Sequence, residues 1–141
     1  MRTYDNEVFE KLILLVRNED EEAGKWLVDY GYRELKEFWD ACDGMERSFK
    51  WLLENNFKQL AATVDAINGN DKAKVFLLAT NNRELAAFVE AAAGSQKAIS
   101  WLLKFNHQGW VMVAKEFFEI DKKKNKGGFF STFLNFGNPF S

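Results

Sequence analysis

The chain has 141 residues, of which 47% are apolar and 16% aromatic, and this composition is sufficient for one folded domain with a core. Its 19 basic and 21 acidic side chains give a formal net charge of -2, which disfavours a surface built to neutralise nucleic-acid phosphates. The single cysteine, Cys42, excludes an intramolecular disulfide. No apolar run approaches the roughly 20 residues of a membrane-spanning helix. We expect a soluble, cytoplasmic protein that has no membrane-spanning helix and does not bind nucleic acid.

The first segment of the chain has the apolar spacing of an amphipathic helix. Val8, Leu12 and Val16 recur every four residues, with Phe9 and Ile13 beside them. We predict a helix over residues of about 5–18 that caps the N-terminal side of the domain.

From about residue 20 the sequence repeats itself every 25 residues. Trp26, Trp51, Phe76 and Trp101 occupy equivalent positions, and a leucine follows each of them. A fixed period of this size is typical of tandem units that bury their apolar faces against one another. The pattern extends to about residue 120, so residues 1–126 are predicted to form one domain.

Two sets of residues mark helix ends within each unit. The first set contains residue types that tolerate the left-handed conformation closing a helix: Gly31, Asn56, Asn81 and Asn106. The second set is glycine in three units: Gly44, Gly69 and Gly94. Each unit is therefore predicted to contain two short helices joined by tight turns. The expected fold is all-α, a short α-solenoid of tandem two-helix repeats with a 25-residue period.

This pattern resembles the helical-repeat class that includes ankyrin, tetratricopeptide and HEAT arrays. The resemblance covers architecture over residues 5–120. It implies a rigid stack that displays variable side chains to a protein partner without performing chemistry. No functional residue carries over, because the Thr-Pro-Leu-His signature of ankyrin repeats is absent and the period is shorter than in those three families.

Charged residues also recur with the repeat. Acids near the ends of the second helices are followed seven residues later by bases, in the pairs Asp40 and Arg47, Asp65 and Lys72, and Glu90 and Lys97. We expect each acid to pair with its base across the glycine turn. The alternative is that the acids and a further basic row, formed by Arg33, Lys58 and Arg83, are ladders that a partner recognises.

The sequence lacks the patterns of an enzyme. His107 is the only histidine, and no nucleophile stands in a recognisable turn near it. Metal ligation needs a cluster of ligands that the sequence does not contain, and no glycine-rich phosphate loop is present. We predict no catalytic residue, no cofactor and no metal.

The last segment, residues 127–141, is rich in glycine and phenylalanine and follows a run of lysines. One hypothesis is that this tail folds back and covers apolar surface of the solenoid. A second is that it binds a partner or another copy of the chain through Phe129, Phe130, Phe133 and Phe136. A third is contact with an anionic membrane surface.

We therefore predict a non-catalytic protein-interaction or scaffold module whose partner is a protein. The surface candidates are Tyr30, Tyr32, Lys36 and Glu37, because the other units carry different residues there. The alternative is a small acidic inhibitor of the immunity-protein type that binds one dedicated partner.

Overall fold

The protein is all-α over the part that the structure, a computed structural model, describes, which is residues 2–125. This confirms the all-α part of the predicted fold, and the predicted N-terminal helix is α1. The expectations for the tail, including those for its four phenylalanines, concern residues outside this range. The described helices are α1 (Asn6–Asn18), α2 (Glu21–Asp29), α3 (Arg33–Cys42), α4 (Glu46–Glu54), α5 (Lys58–Ile67), α6 (Asp71–Ala79), α7 (Arg83–Ala92), α8 (Gln96–Lys104) and α9 (Gln108–Asn125).

The predicted helix ends are confirmed by the backbone. Every residue of the two sets has a positive φ: Gly31, Asn56, Asn81 and Asn106 in one set, and Gly44, Gly69 and Gly94 in the other. Several helices also begin with a side-chain cap, as at Ser95, whose Oγ accepts a hydrogen bond from the amide of Ala98 at 3.1 Å. The local sequence thus fixes where each turn occurs.

The odd-numbered helices form the inner layer of the domain. α1, α3, α5, α7 and α9 pack against one another in succession, and α9 returns to pack against α1. Each even-numbered helix packs mainly against the two inner helices that flank it in the chain. In an open array each unit contacts only its neighbours; the contact between α1 and α9 closes the inner helices into a ring.

Three phenylalanines fill the centre of the ring. Phe38 of α3, Phe88 of α7 and Phe117 of α9 are fully buried. The ring centroids of Phe88 and Phe117 are 5.3 Å apart, and those of Phe38 and Phe117 are 6.1 Å apart. Such aromatic pairs add to the free energy gained from burial alone.

The contact between α1 and α9 requires a glycine. Phe9 lies against Gly109, and a Cβ added to this glycine would lie 2.2 Å from Cδ2 of the Phe9 ring. Phe9 also packs edge-on against Trp110, with centroids 5.2 Å apart. Further along the two helices, Arg17 Nη2 lies 2.8 Å from Glu116 Oε2. An ion pair and an aromatic contact therefore join α1 to α9.

The residues before α1 neutralise a buried carboxylate. Glu34 is only 2% exposed, and its Oε2 accepts hydrogen bonds from Arg2 Nη1 at 2.7 Å and from the Tyr4 hydroxyl at 2.9 Å. Burial, and then the negative charge of Glu34, raise the pKa of the Tyr4 hydroxyl well above its usual range. Tyr4 therefore stays a hydrogen-bond donor to Glu34.

Two helical glycines that lie against neighbouring side chains should respond oppositely to alanine. Gly109→Ala forces the Phe9 ring away from α9 and should lower the free energy of unfolding by about 1 to 3 kcal/mol, the usual cost of overpacking. In α2, an added Cβ at Gly24 meets its nearest neighbour, Leu15 Cδ1, at an ordinary 3.4 Å. Gly24→Ala should therefore be neutral or stabilising by up to about 1 kcal/mol, because alanine favours helix.

Urea unfolding followed by far-ultraviolet circular dichroism measures both changes. Equal destabilisation by the two substitutions would contradict the specific role of Gly109 in the contact between α1 and α9.

Candidate functional site

The four surface candidates of the first unit lie on or beside α2 and α3. Tyr30 is 65% exposed and stacks on Trp26 with ring centroids 4.6 Å apart. Tyr32 is half-buried, and the guanidinium carbon of Arg2 lies 4.3 Å from the centroid of its ring. Tyr30 is therefore largely accessible, whereas contacts within the chain cover part of Tyr32.

The two charged candidates are paired within α3. Lys36 is half-buried and forms an ion pair with Asp40. Glu37 is buried, and its Oε2 accepts a hydrogen bond from Arg33 Nε at 3.0 Å. The expectation that Glu37 is a surface residue is therefore wrong, because its pairing with Arg33 holds the carboxylate against the helix.

The predicted ion pairs across the glycine turns do not form among the described residues. Asp40 pairs with Lys36 one turn earlier on its own helix, and Glu90 pairs with Lys74 of α6 at 2.7 Å. The third acid, Asp65, is 4% exposed, and its buried Oδ2 accepts no hydrogen bond from the described residues. For Asp40 and Glu90, a lysine on the same or the preceding helix forms the pair in place of the base beyond the turn.

A groove of about 310 Å³ lies on the outer surface between α6 and α8, with α7 as its floor. We call it the α6–α8 groove. Its lining combines small, apolar and basic side chains with one acid: Lys74, Leu78, Arg83, Ala86, Ala87, Glu90, Lys97, Ala98 and Trp101.

The equivalent positions of the first unit carry larger side chains. Lys36 and Glu37 occupy the positions that alanines 86 and 87 occupy in α7. The Cγ of Lys36 lies 3.6 Å from where a Cβ on Gly24 would stand, so the lysine covers the gap that this glycine leaves. Replacement of both bulky residues by alanine lowers the floor of the α6–α8 groove.

The second unit also has two alanines, Ala61 and Ala62, but a phenylalanine stands at its wall. Phe49 occupies the position of Lys74 and is only 1% exposed. Lys74 instead turns its ammonium toward Glu90. Among these three units, only the third combines two floor alanines with a lysine at the wall.

The basic residues at the start of the inner helices differ in their partners. Arg33 pairs with Glu37 and has its guanidinium carbon 4.6 Å from the centroid of Trp51. Lys58 places its ammonium 5.3 Å from the centroid of Phe76. Within residues 2–125, Arg83 makes no ion pair, hydrogen bond or ring contact of this kind, and it is exposed.

The apolar side of the groove is partly open to solvent. Leu78 is 52% exposed, and Trp101 is half-buried. The indole of Trp101 stacks against His107, with centroids 6.0 Å apart and planes 14° apart. It also contacts the Phe105 ring, with centroids 4.7 Å apart and planes tilted by 41°. These contacts fix the ring, so the groove offers a rigid apolar surface.

Three further observations concern metal ligands, the cysteine and membrane spans in the described residues. Over the described residues, no group of three or more histidine, cysteine or acidic side chains is placed to hold a metal ion. Cys42 is buried, and burial raises the pKa of its thiol, which disfavours the nucleophilic thiolate. None of the helices within residues 2–125 combines the length and apolarity needed to cross a membrane.

No protein-family model, curated protein or solved structure matches this chain.

Asp65 of α5, which is equivalent to Glu90 of α7, should make the free energy of unfolding depend on pH. Burial raises the pKa of this carboxyl from 3.8 to about 6, so the folded protein holds the proton more tightly than the unfolded chain does. The free energy of unfolding should therefore fall as the pH rises from about 4 to about 6 and then level off. From the size of the pKa change, the full effect is at most about 3 kcal/mol.

Urea unfolding of the wild type and of Asp65→Asn at several pH values checks this expectation. Relative to Asp65→Asn, the wild type should lose free energy of unfolding as the pH rises from about 4 to about 6. Glu90→Gln, at an exposed carboxylate in the equivalent position, controls for the loss of one charge. If Asp65→Asn kept the same pH dependence as the wild type, Asp65 would not be its source.

Proposed function

We propose that this protein is a non-catalytic interaction module that binds a segment of a partner protein in the α6–α8 groove. The observation that carries the proposal is the coincidence, in one groove, of a rigid aromatic wall, an exposed leucine and an alanine floor. Aromatic and arginine side chains of this kind dominate the energetics of protein interfaces. The remaining surface candidates of the first unit, Tyr30, Tyr32 and Lys36, would then lie outside the groove.

The size of the groove favours a short segment as the bound element. A volume of about 310 Å³ lies at the lower end of the range for ligand-binding pockets and suits one or two side chains. A leucine-sized side chain that leaves water contributes about 1.5 to 3 kcal/mol. One anchor therefore gives weak binding, and useful affinity requires further contacts along α6 and α8.

The proposal treats the chain as an α-solenoid of tandem 25-residue units whose first and last inner helices pack against each other. The recurrence of positive φ at equivalent turns supports it. So do the similar lengths of the helices at equivalent positions, such as ten residues in each of α3, α5 and α7. A cytoplasmic location and the absence of a cofactor belong to the same proposal. The alternative, an immunity-type inhibitor, would use a dense patch of one charge, whereas this groove contains both signs.

Selection from a displayed library of random peptides tests the proposal. Peptides that bind the wild type through the groove should lose about tenfold in affinity with Leu78→Ala, which is a loss of about 1.4 kcal/mol. Leu103→Ala is the matched control, because Leu103 is the equivalent residue in the next unit and is similarly exposed at 47%. It should leave affinity unchanged.

Circular dichroism and melting temperature establish that both variants are folded. The proposal is wrong if no peptide is selected, or if the selected peptides bind Leu78→Ala as tightly as Leu103→Ala.

A further inference from the structure

We infer that the segment bound in the α6–α8 groove is acidic, with at least one carboxylate beside its apolar anchor. This inference rests on the proposed function and adds the chemistry of the partner. It follows from the charges that line the groove and from a comparison of equivalent residues in the chain.

The groove has an excess of positive charge in a chain whose net charge is negative. Of its charged groups, Lys74 and Glu90 neutralise each other at 2.7 Å. Arg83 and Lys97 remain, both exposed, and neither forms an ion pair or hydrogen bond with a residue of the described part of the chain. Local charge of one sign favours binding of a ligand of the other sign and accelerates its association.

The first unit shows how a carboxylate fits at this position. There the carboxylate of Glu37 accepts from Arg33 Nε at 3.0 Å, while the Arg33 guanidinium lies over the ring of Trp51. In the third unit the arginine and the tryptophan are retained as Arg83 and Trp101, but the glutamate is replaced by Ala87.

A carboxylate from the partner can therefore take the place that Glu37 takes in the first unit. Arginine binds carboxylates through two parallel hydrogen bonds, which adds geometric specificity to the charge attraction. Leu78 and the alanine floor would receive the neighbouring apolar side chain of the same segment. In the third unit the partner supplies the carboxylate that Glu37 supplies in the first unit.

The peptide selection described above tests this inference when the library contains equal numbers of acidic and basic residues. Peptides whose binding depends on Leu78 should be enriched in aspartate and glutamate. Arg83→Ala should weaken each of them by at least about tenfold. Raising the salt concentration from 50 to 300 mM should weaken them further, because exposed charge pairs are screened.

Ala87→Glu is the sharpest variant, because it recreates within α7 the pair that Arg33 and Glu37 form in α3. It should lower affinity for acidic peptides by at least about tenfold while the protein stays folded. Ala79→Glu, at an exposed position of α6 outside the groove, adds the same charge and is the control. It should have a much smaller effect.

The outcomes separate the two proposals. If no groove-dependent peptide is selected, the proposed function fails. If such peptides are selected without acidic enrichment, or bind Arg83→Ala as tightly as the wild type, the function stands and the acidic partner is wrong. Displacement of the selected peptides by single-stranded DNA at lower concentration than by free acidic peptide would also overturn the inference, in favour of a nucleic-acid partner.

Discussion

The packing of α9 against the other inner helices is the constraint on which the rest of this structure depends. Phe117 meets Phe38 and Phe88 at the centre, and Gly109 allows Phe9 of α1 to approach the start of the same helix. These contacts bury apolar surface of the inner helices against one another. The outer helices cover the faces of the inner helices that remain. The outer surface between α6 and α8 is then free to vary, and that is where the groove lies.

The sequence predicted the helices well because the signals for their ends are local. A glycine or asparagine with positive φ closes a helix whatever lies elsewhere in the chain, so Gly69 and Asn81 could be interpreted without tertiary information. The closure of the ring had no such signal. Arg17 and Glu116 are far apart in sequence and belong to the two helices that depart from the repeat, so no period relates them.

The groove was harder to predict than the fold because it results from missing bulk. The large residues that distinguish the first unit predicted a surface site that included Glu37, but Glu37 is buried. The difference that marks the groove is that the third unit has alanines where the first unit has Lys36 and Glu37. In the third unit these alanines form the floor of the groove, and Lys74, paired with Glu90, lies at its wall. Arg83 belongs to the basic row, with Arg33 and Lys58, that was predicted as an alternative recognition surface for a partner.

The contact between α1 and α9 also affects how the domain unfolds. A linear array of repeats has two free ends, and it can lose terminal units one at a time while the remainder stays folded. Here each inner helix, including the first and the last, has an inner neighbour on both sides. Fraying at either end must break the interface between the ends as well, so the closed ring favours a single cooperative transition over stepwise loss of units.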